Sequence, residues 1–302
     1  MAQLIKIQDY ISRYQRDIFH YPGQFIRLKN ENWKKLLYTW QMEQETKNQL
    51  YVDDVEESNF SKWKSFFKKR EKIDEEYNED DKTDIPKTET ALKQYFLDNL
   101  ISFQLNWAST TVSEMSFLDR ELRTDFTLKY FLQRFPDTFL LFYKPIFDLK
   151  KISLETDLIL ISPLGIEIIQ ILEVDSSTSI IVGDERTWYL EENNIQSRIL
   201  SPIISLKRTE QVIKSILNKY ELKFPIKKTV LSRTNVIDYN SEPFNTQYID
   251  SKRHEKWLTE KRSLVSPLKH RQLKVCECLL KHCYTSAVRR PEWNEENDIS
   301  PF

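Results

Sequence analysis

The chain has 302 residues, enough for one large domain or two, and its 40% hydrophobic content suffices to bury a core. A formal net charge of -1 excludes a global basic field for nucleic acid, so any such surface must be local. No run approaches the ~18 apolar residues of a membrane helix. The amino terminus lacks a secretory pattern and three clustered cysteines suit a reducing compartment, so the expectation is a cytoplasmic chain with no membrane partner.

Residues 1–50 repeat aromatic and aliphatic side chains at helical spacing, including Tyr10, Tyr14, Phe25, Trp33, Leu36 and Trp40. Pro22-Gly23 predicts a break into two helices, the second starting near Asn30. Arg13, Arg16, Arg27, Lys29, Lys34 and Lys35 form a basic face between them. Such a face is a solvated helix surface or a contact for nucleic acid, and the aromatic helices offer a surface to a protein partner. From Phe60 to Arg70 aromatics and cations interleave, which suits either base stacking with phosphate pairing or a mixed surface helix. Glu71 to Asp84 then holds eight acids against two lysines, the composition of a solvated linker.

Leu92, Tyr95, Phe96, Leu100 and Phe103 mark a helix from Thr88 to Trp107. A second helix is predicted from about Ser116 to Phe135, stopped by Pro136. A short aromatic strand, Phe139 to Tyr143, follows, and Pro145 confines it to a sheet edge or marks its end. Leu154 to Asp175 carries two aliphatic, β-branched runs around a Ser-Pro-Leu-Gly turn, which predicts a buried β-hairpin. Gly165, one of three glycines, is expected to supply a permissive backbone there. Asp157, Glu167 and Glu173 sit where a buried strand least tolerates acids, since a buried carboxylate costs several kcal/mol unless compensated.

Downstream, Ser179 to Val182 reads as a third strand, turned at Gly183-Asp184 and followed by Trp188-Tyr189-Leu190. Pro202 suits the first turn of a helix capped by Ser201 and running to about Tyr220, with Ile203, Leu206, Val212, Ile213 and Leu217 inward. Lys227 to Val236 gives a last strand. From Lys252 two cationic helices are broken at Pro267, and the end from Arg289 reads as irregular. Cys276, Cys278, His282 and Cys283 are zinc-type donors, yet on one helix Cys276 points away from the face of Cys278 and His282. They read as small apolar side chains rather than a zinc site.

The run Glu155-Thr156-Asp157, the aliphatic Leu158 to Ile161 and the Pro163-Leu164-Gly165 turn resemble the core of the nuclease-related domain (NERD) family, itself similar to the PD-(D/E)XK nucleases. In that family a Glu-x-Asp, a strand, a Pro-x-Gly turn and a strand ending in Glu-x-Lys follow in order. Phe135-Pro136 takes the place of its Leu-Pro, and Asp125 falls near its helical acidic position. Trp188 and Pro202 fit its later tryptophan and proline, with Ser201 and Ser205 at two changed polar positions. The resemblance covers about residues 115–240. It departs at the Glu-x-Lys, which falls on Gln170-Ile171-Leu172 without a gap or on Glu173-Val174-Asp175 with three extra residues. Neither register supplies the lysine.

The resemblance implies an α/β (α+β) fold, a restriction-endonuclease-like mixed sheet flanked by helices with a helical N-terminal extension and a C-terminal helical tail. The corresponding division is 1–70 for the extension, 71–87 for the acidic linker, 88–240 for the nuclease-type core and 241–302 for the tail. It further implies Mg²⁺ held by Asp157, Glu173 and Asp125, with Asp157 and Glu173 catalytic. Lys207 or Lys214 of the following helix could move into the place of the missing lysine; without one, roughly two or three decades of rate are lost. Two functions follow: a metal-dependent nuclease or nucleic-acid binder, DNA favoured, with a degenerate site, and a catalytically inactive interaction scaffold keeping the fold. A zinc-dependent regulator built on the cysteines is a third.

Overall fold

The structure is a computed structural model that describes residues 1–49, 86–149 and 152–290. The basic-aromatic segment Phe60 to Arg70, the acidic segment Glu71 to Asp84 and the end from Pro291 lie outside the described residues. The chain divides into two units, one of residues 1–23 with 101–302 and one of residues 24–100. No helix among the described residues is long and apolar enough to cross a membrane.

The fold is α+β, a mixed sheet flanked by helices. Six strands make the main sheet: β1 (Gln3–Ile7), β3 (Leu140–Tyr143), β6 (Leu158–Ile161), β7 (Ile166–Ile171), β11 (Ile226–Leu231) and β13 (Thr246–Ile249), side by side in that order. β3, β6 and β7 run antiparallel in turn, whereas β1 joins β3, and β11 joins β7 and β13, in parallel. β2 (Glu114–Met115) pairs with β14 (Val288–Arg289), and β4 (Ile146–Leu149) with β5 (Ile152–Glu155). A four-stranded sheet has the order β10 (Ile195–Leu200), β9 (Thr187–Glu192), β8 (Ser179–Ile181) and β12 (Ile237–Asp238).

The helices are α1 (Tyr21–Gln49), α2 (Glu89–Trp107), α3 (Glu121–Thr124), α4 (Phe126–Arg134), α5 (Pro202–Lys219), α6 (His254–Arg262) and α7 (His270–Leu280). In the unit of residues 24–100, Trp33 of α1 packs on Phe96 of α2 with ring centroids 5.3 Å apart, and the Trp40 indole donates to the Pro86 carbonyl at 2.7 Å. Thr88 accepts from the Ala91 amide at 3.2 Å and starts α2, as its sequence position predicts.

The strands of the hairpin are buried on both faces, which explains why Leu158 to Ile161 is a continuous aliphatic run rather than an alternating one. One face of the sheet, with Leu141, Leu158, Leu160, Ile169 and Leu231, shares a core with Leu128, Phe131, Leu132 and Phe135 of α4 and with Trp257 and Leu258 of α6. Each such side chain contributes about 1.5–3 kcal/mol on leaving water. α5 packs on β7, β11 and α7, burying Leu206, Ile213, Ile216 and Leu217.

Several expectations give way. The helical reading of residues 1–50 fails at its start, where Gln3–Ile7 is a strand with all five residues buried. Helical spacing could not exclude this, because five consecutive apolar or long side chains fit either period. Gln104 closes the outer edge of β1, accepting from the Leu4 amide at 2.6 Å and donating to the Ala2 carbonyl at 3.0 Å. β3 is therefore internal, and Pro145 only marks its end. The helix predicted from Ser116 breaks at Asp125, which caps α4. β13 and α6 extend the main sheet and its core beyond residue 240, so residues 246–249 belong to the sheet and not to a tail. Ser201 precedes α5 without its hydroxyl capping it. Gly165 has no left-handed backbone; a side chain there would meet the Pro225 carbonyl oxygen at 3.0 Å, so close approach is what its position requires.

Candidate functional site

Two adjoining cavities open beside the ends of β3 and β6 and the last residues of β7. The larger, about 470 Å³, is lined among others by Asp125, Tyr143, Lys144, Asp157, Gln170 and Arg208. The smaller, about 320 Å³, shares Asp125, Tyr143 and Lys144 and adds Gln8, Asp119 and Glu121.

Asp157 directly precedes β6 and is only 7% exposed. The Ser205 hydroxyl of α5 donates to both its carboxylate oxygens, at 2.8 and 2.9 Å, and the Thr209 hydroxyl one turn later donates at 2.8 Å. Ser205, Arg208 and Thr209 share one face of α5 because residues three and four apart align on a helix. Burial pushes the Asp157 carboxyl above its usual range, and the two hydroxyls and the Arg208 charge offset this only in part.

The pairing of β6 with β7 sets Leu158 opposite Ile169 and Ile159 opposite Ile168. Continuing that alternation by one residue brings Gln170 to the side of Asp157, and both line the larger cavity. Gln170, a neutral amide, therefore stands beside Asp157, and Leu172 lines neither cavity.

Glu173, expected beside Asp157, does not line either cavity. Arg233 holds it from the end of β11, with Nε 2.5 Å from Oε1, Nη2 2.7 Å from Oε2 and the Arg233 amide donating at 2.9 Å. Burial would raise the Glu173 carboxyl, but these bonds and the guanidinium charge bring it below the usual range. Arg233 in turn lies 4.6 Å from the centre of the Tyr130 ring.

Asp125 does reach the cavity, as an N-cap rather than a mid-helix acid. Its Oδ1 accepts from the Thr127 and Leu128 amides at 2.8 and 3.0 Å, and Oδ2 accepts from the Tyr143 hydroxyl. Lys207 is absent from both linings and pairs with Glu185 at 2.8 Å. Lys214 pairs with Glu210 at 2.7 Å, and the buried Lys228 grips the same carboxylate at 2.6 Å. The cations in the larger cavity are instead Lys144 and Arg208, which sequence reasoning passed over. Both are exposed. Lys144 has φ of 46° and neighbouring Gln8 has φ of 34°, left-handed conformations costing about 1 kcal/mol or more each, placed side by side where β1 and β3 end. A Lys-Pro closing an aromatic strand and an arginine three residues after Ser205 were the available signals.

Nuclease folds of the kind the resemblance implies hold Mg²⁺ between carboxylates. Here Asp157 is engaged by hydroxyls, Asp125 by amides and a phenol, and Glu173 by a guanidinium, while position 170 is neutral. Of the three acids expected to hold the metal, only Asp157 and Asp125 line the larger cavity, together with Glu155. Among the described residues no group of three or more His, Cys, Asp or Glu is arranged to hold a metal ion.

Glu167, the remaining acid of the hairpin, projects into the opposite face of the sheet. It accepts from Thr229 Oγ1 at 2.6 Å, Gln247 Nε2 at 2.7 Å and the Trp257 indole at 3.2 Å, and pairs with Lys261. It braces α6 against the sheet. Cys276 and Cys278 are buried on α7, and His282 lies beyond its end with Nδ1 2.9 Å from the Cys278 carbonyl. Burial raises all three thiols, Cys283 to about 12.

No protein-family model matches the chain, and no solved structure matches it. It is 47% identical over 45 residues to an RNA 2',3'-cyclic phosphodiesterase from Geobacillus stearothermophilus. That stretch is 15% of this chain and 14% of the phosphodiesterase.

Proposed function

We propose that this chain is a nuclease-type protein of the NERD kind that binds nucleic acid, DNA by preference, through the Asp157 cleft without metal-dependent hydrolysis. One observation carries the reading: Asp157, the acid the resemblance points to, stands in the cleft beside the neutral Gln170, where a second carboxylate would be expected of an active nuclease. The succession α4, β3, β6, β7, α5, β11, with an antiparallel hairpin followed by a parallel strand, supports the fold side of it. Arg208 and Lys144 supply the positive charge for two backbone phosphates. A cytoplasmic location belongs to the same proposal.

The test is fluorescence anisotropy of labelled single- and double-stranded DNA and RNA, in EDTA and in Mg²⁺, with the same samples run on denaturing gels. Binding in EDTA that weakens on Lys144→Ala and Arg208→Ala, with the oligonucleotide left intact, supports the reading. Hydrolysis that requires Mg²⁺ and Asp157 would restore the active-nuclease alternative. An absence of binding at low salt would favour an interaction scaffold.

A further inference from the structure

β10 is the outer strand of the four-stranded sheet and pairs on one side alone, with β9. Its six residues follow an unbroken register, Ile195 opposite Glu192 through Leu200 opposite Thr187, with no bulge. Five of the six are exposed, and Ile195 and Leu200 are each 73% exposed. Natural edge strands are usually blunted by proline, lysine, bulges or covering segments. β10 has no proline or bulge and a single charge, Arg198, and the described residues provide no second neighbour for it.

We infer that β10 pairs antiparallel with β10 of a second copy of this chain, joining the two four-stranded sheets into one. A two-fold axis perpendicular to the sheet places one residue opposite itself. Centring on Arg198 would set two guanidinium groups against each other, which is unfavourable. Centring on Ser197 sets serine against serine, Ile195 against Ile199, and Gln196 against Arg198.

The side chains fit this register on both faces. On one face, Ile195 stands opposite Glu192 within its own hairpin and has no apolar cross-strand partner there. In the pair it covers Ile199 of the second copy, beside the buried Trp188. On the other face, the Gln196 amide nitrogen donates to Glu191 at 2.7 Å, which leaves its carbonyl oxygen to accept. The Arg198 guanidinium has no ion-pair or hydrogen-bond partner among the described residues. Opposite Gln196 of the second copy it completes a row in which arginine donates to glutamine and glutamine donates to glutamate. On that face the pairing brings the partner's arginine next to the glutamine that already binds Glu191.

The experiment is light-scattering mass measurement and sedimentation equilibrium on the full chain and on Ser197→Asp and Ser197→Lys. Both substitutions fall on an exposed residue, so circular dichroism and the thermal midpoint should match the wild type. The wild type is expected to form a dimer. Each variant should weaken it about tenfold or more, because like charges face each other across the axis. An equimolar mixture of the two variants should restore the dimer as a heterodimer. A wild type that stays monomeric at its solubility limit overturns the inference. So does a dimer unaffected by either charge, or a mixture that fails to reassociate.

Discussion

The Ser205 hydroxyl donates to both carboxylate oxygens of Asp157, at 2.8 and 2.9 Å, so a helix and a strand end are joined by an acid that gives up water for hydroxyl donors. Burial makes the ionised form costly, and the carboxyl is raised above its usual range. A raised acid favours the folded state when protonated, and this advantage is lost as pH rises from the unfolded value toward the folded one. Asp157→Asn should therefore become increasingly stabilising, relative to the wild type, as pH rises above the ordinary aspartate range toward the raised folded value. Urea unfolding at a series of pH values checks this; a constant difference would show that Asp157 is not strained by burial.

Glu173 shows the opposite sign. Its carboxyl is held low, so its contribution is present above the ordinary glutamate range and fades as pH falls through the folded value. Glu173→Gln should cost about 1–2 kcal/mol at neutral pH and less in acid. Nucleic-acid binding by that variant should equal the wild type, because Glu173 lies outside the cleft.

The brace between Glu167 and Lys261 is asymmetric. Lys261→Met leaves a carboxylate in the core with neutral donors alone and should cost about 3 kcal/mol. Glu167→Gln removes the charge, keeps an acceptor for Thr229 and should cost less, about 1 kcal/mol. Denaturation followed by Trp257 fluorescence ranks the two, and equal losses would place the strain elsewhere.

Lys6 is fully buried on β1, donating to the Tyr10 carbonyl and to Thr285 Oγ1, the latter at 3.1 Å. Burial lowers its pKa to about 8 from 10.5, against the opposing influence of Cys283 and Asp9. The charged amine therefore costs stability fully below pH 8 and progressively less up to pH 10.5. Relative to Lys6→Met, the wild type should gain up to about 3 kcal/mol across that window. Paired melts of the two proteins from pH 7 to 10 give the slope.

In the cleft, Lys144→Ala and Arg208→Ala should each reduce the dependence of DNA affinity on salt by about one counterion. Lys207→Ala, whose lysine is paired with Glu185, should leave that slope unchanged. Titrations at several salt concentrations separate the three variants.

Local chemistry made much of the architecture legible. The aliphatic runs around Pro163-Leu164-Gly165 and the Pro202 start of α5 are decided by backbone restriction and continuous burial, which are written in neighbouring residues. β10 was passed over because its exposed, polar-rich sequence lacks the alternation that announces a half-buried strand. β1 was misread because a short apolar run carries no period of its own.

What the sequence determined by itself was the hairpin, its acids and the absence of a lysine following them. Tertiary structure alone decided which of those acids share a space. Strand register sends Gln170 toward Asp157, Glu167 to the opposite face and Glu173 to Arg233, a residue 60 positions away along the chain. Partners for a buried charge are supplied by whichever elements pack against it, and the spacing of residues along one strand holds no record of them.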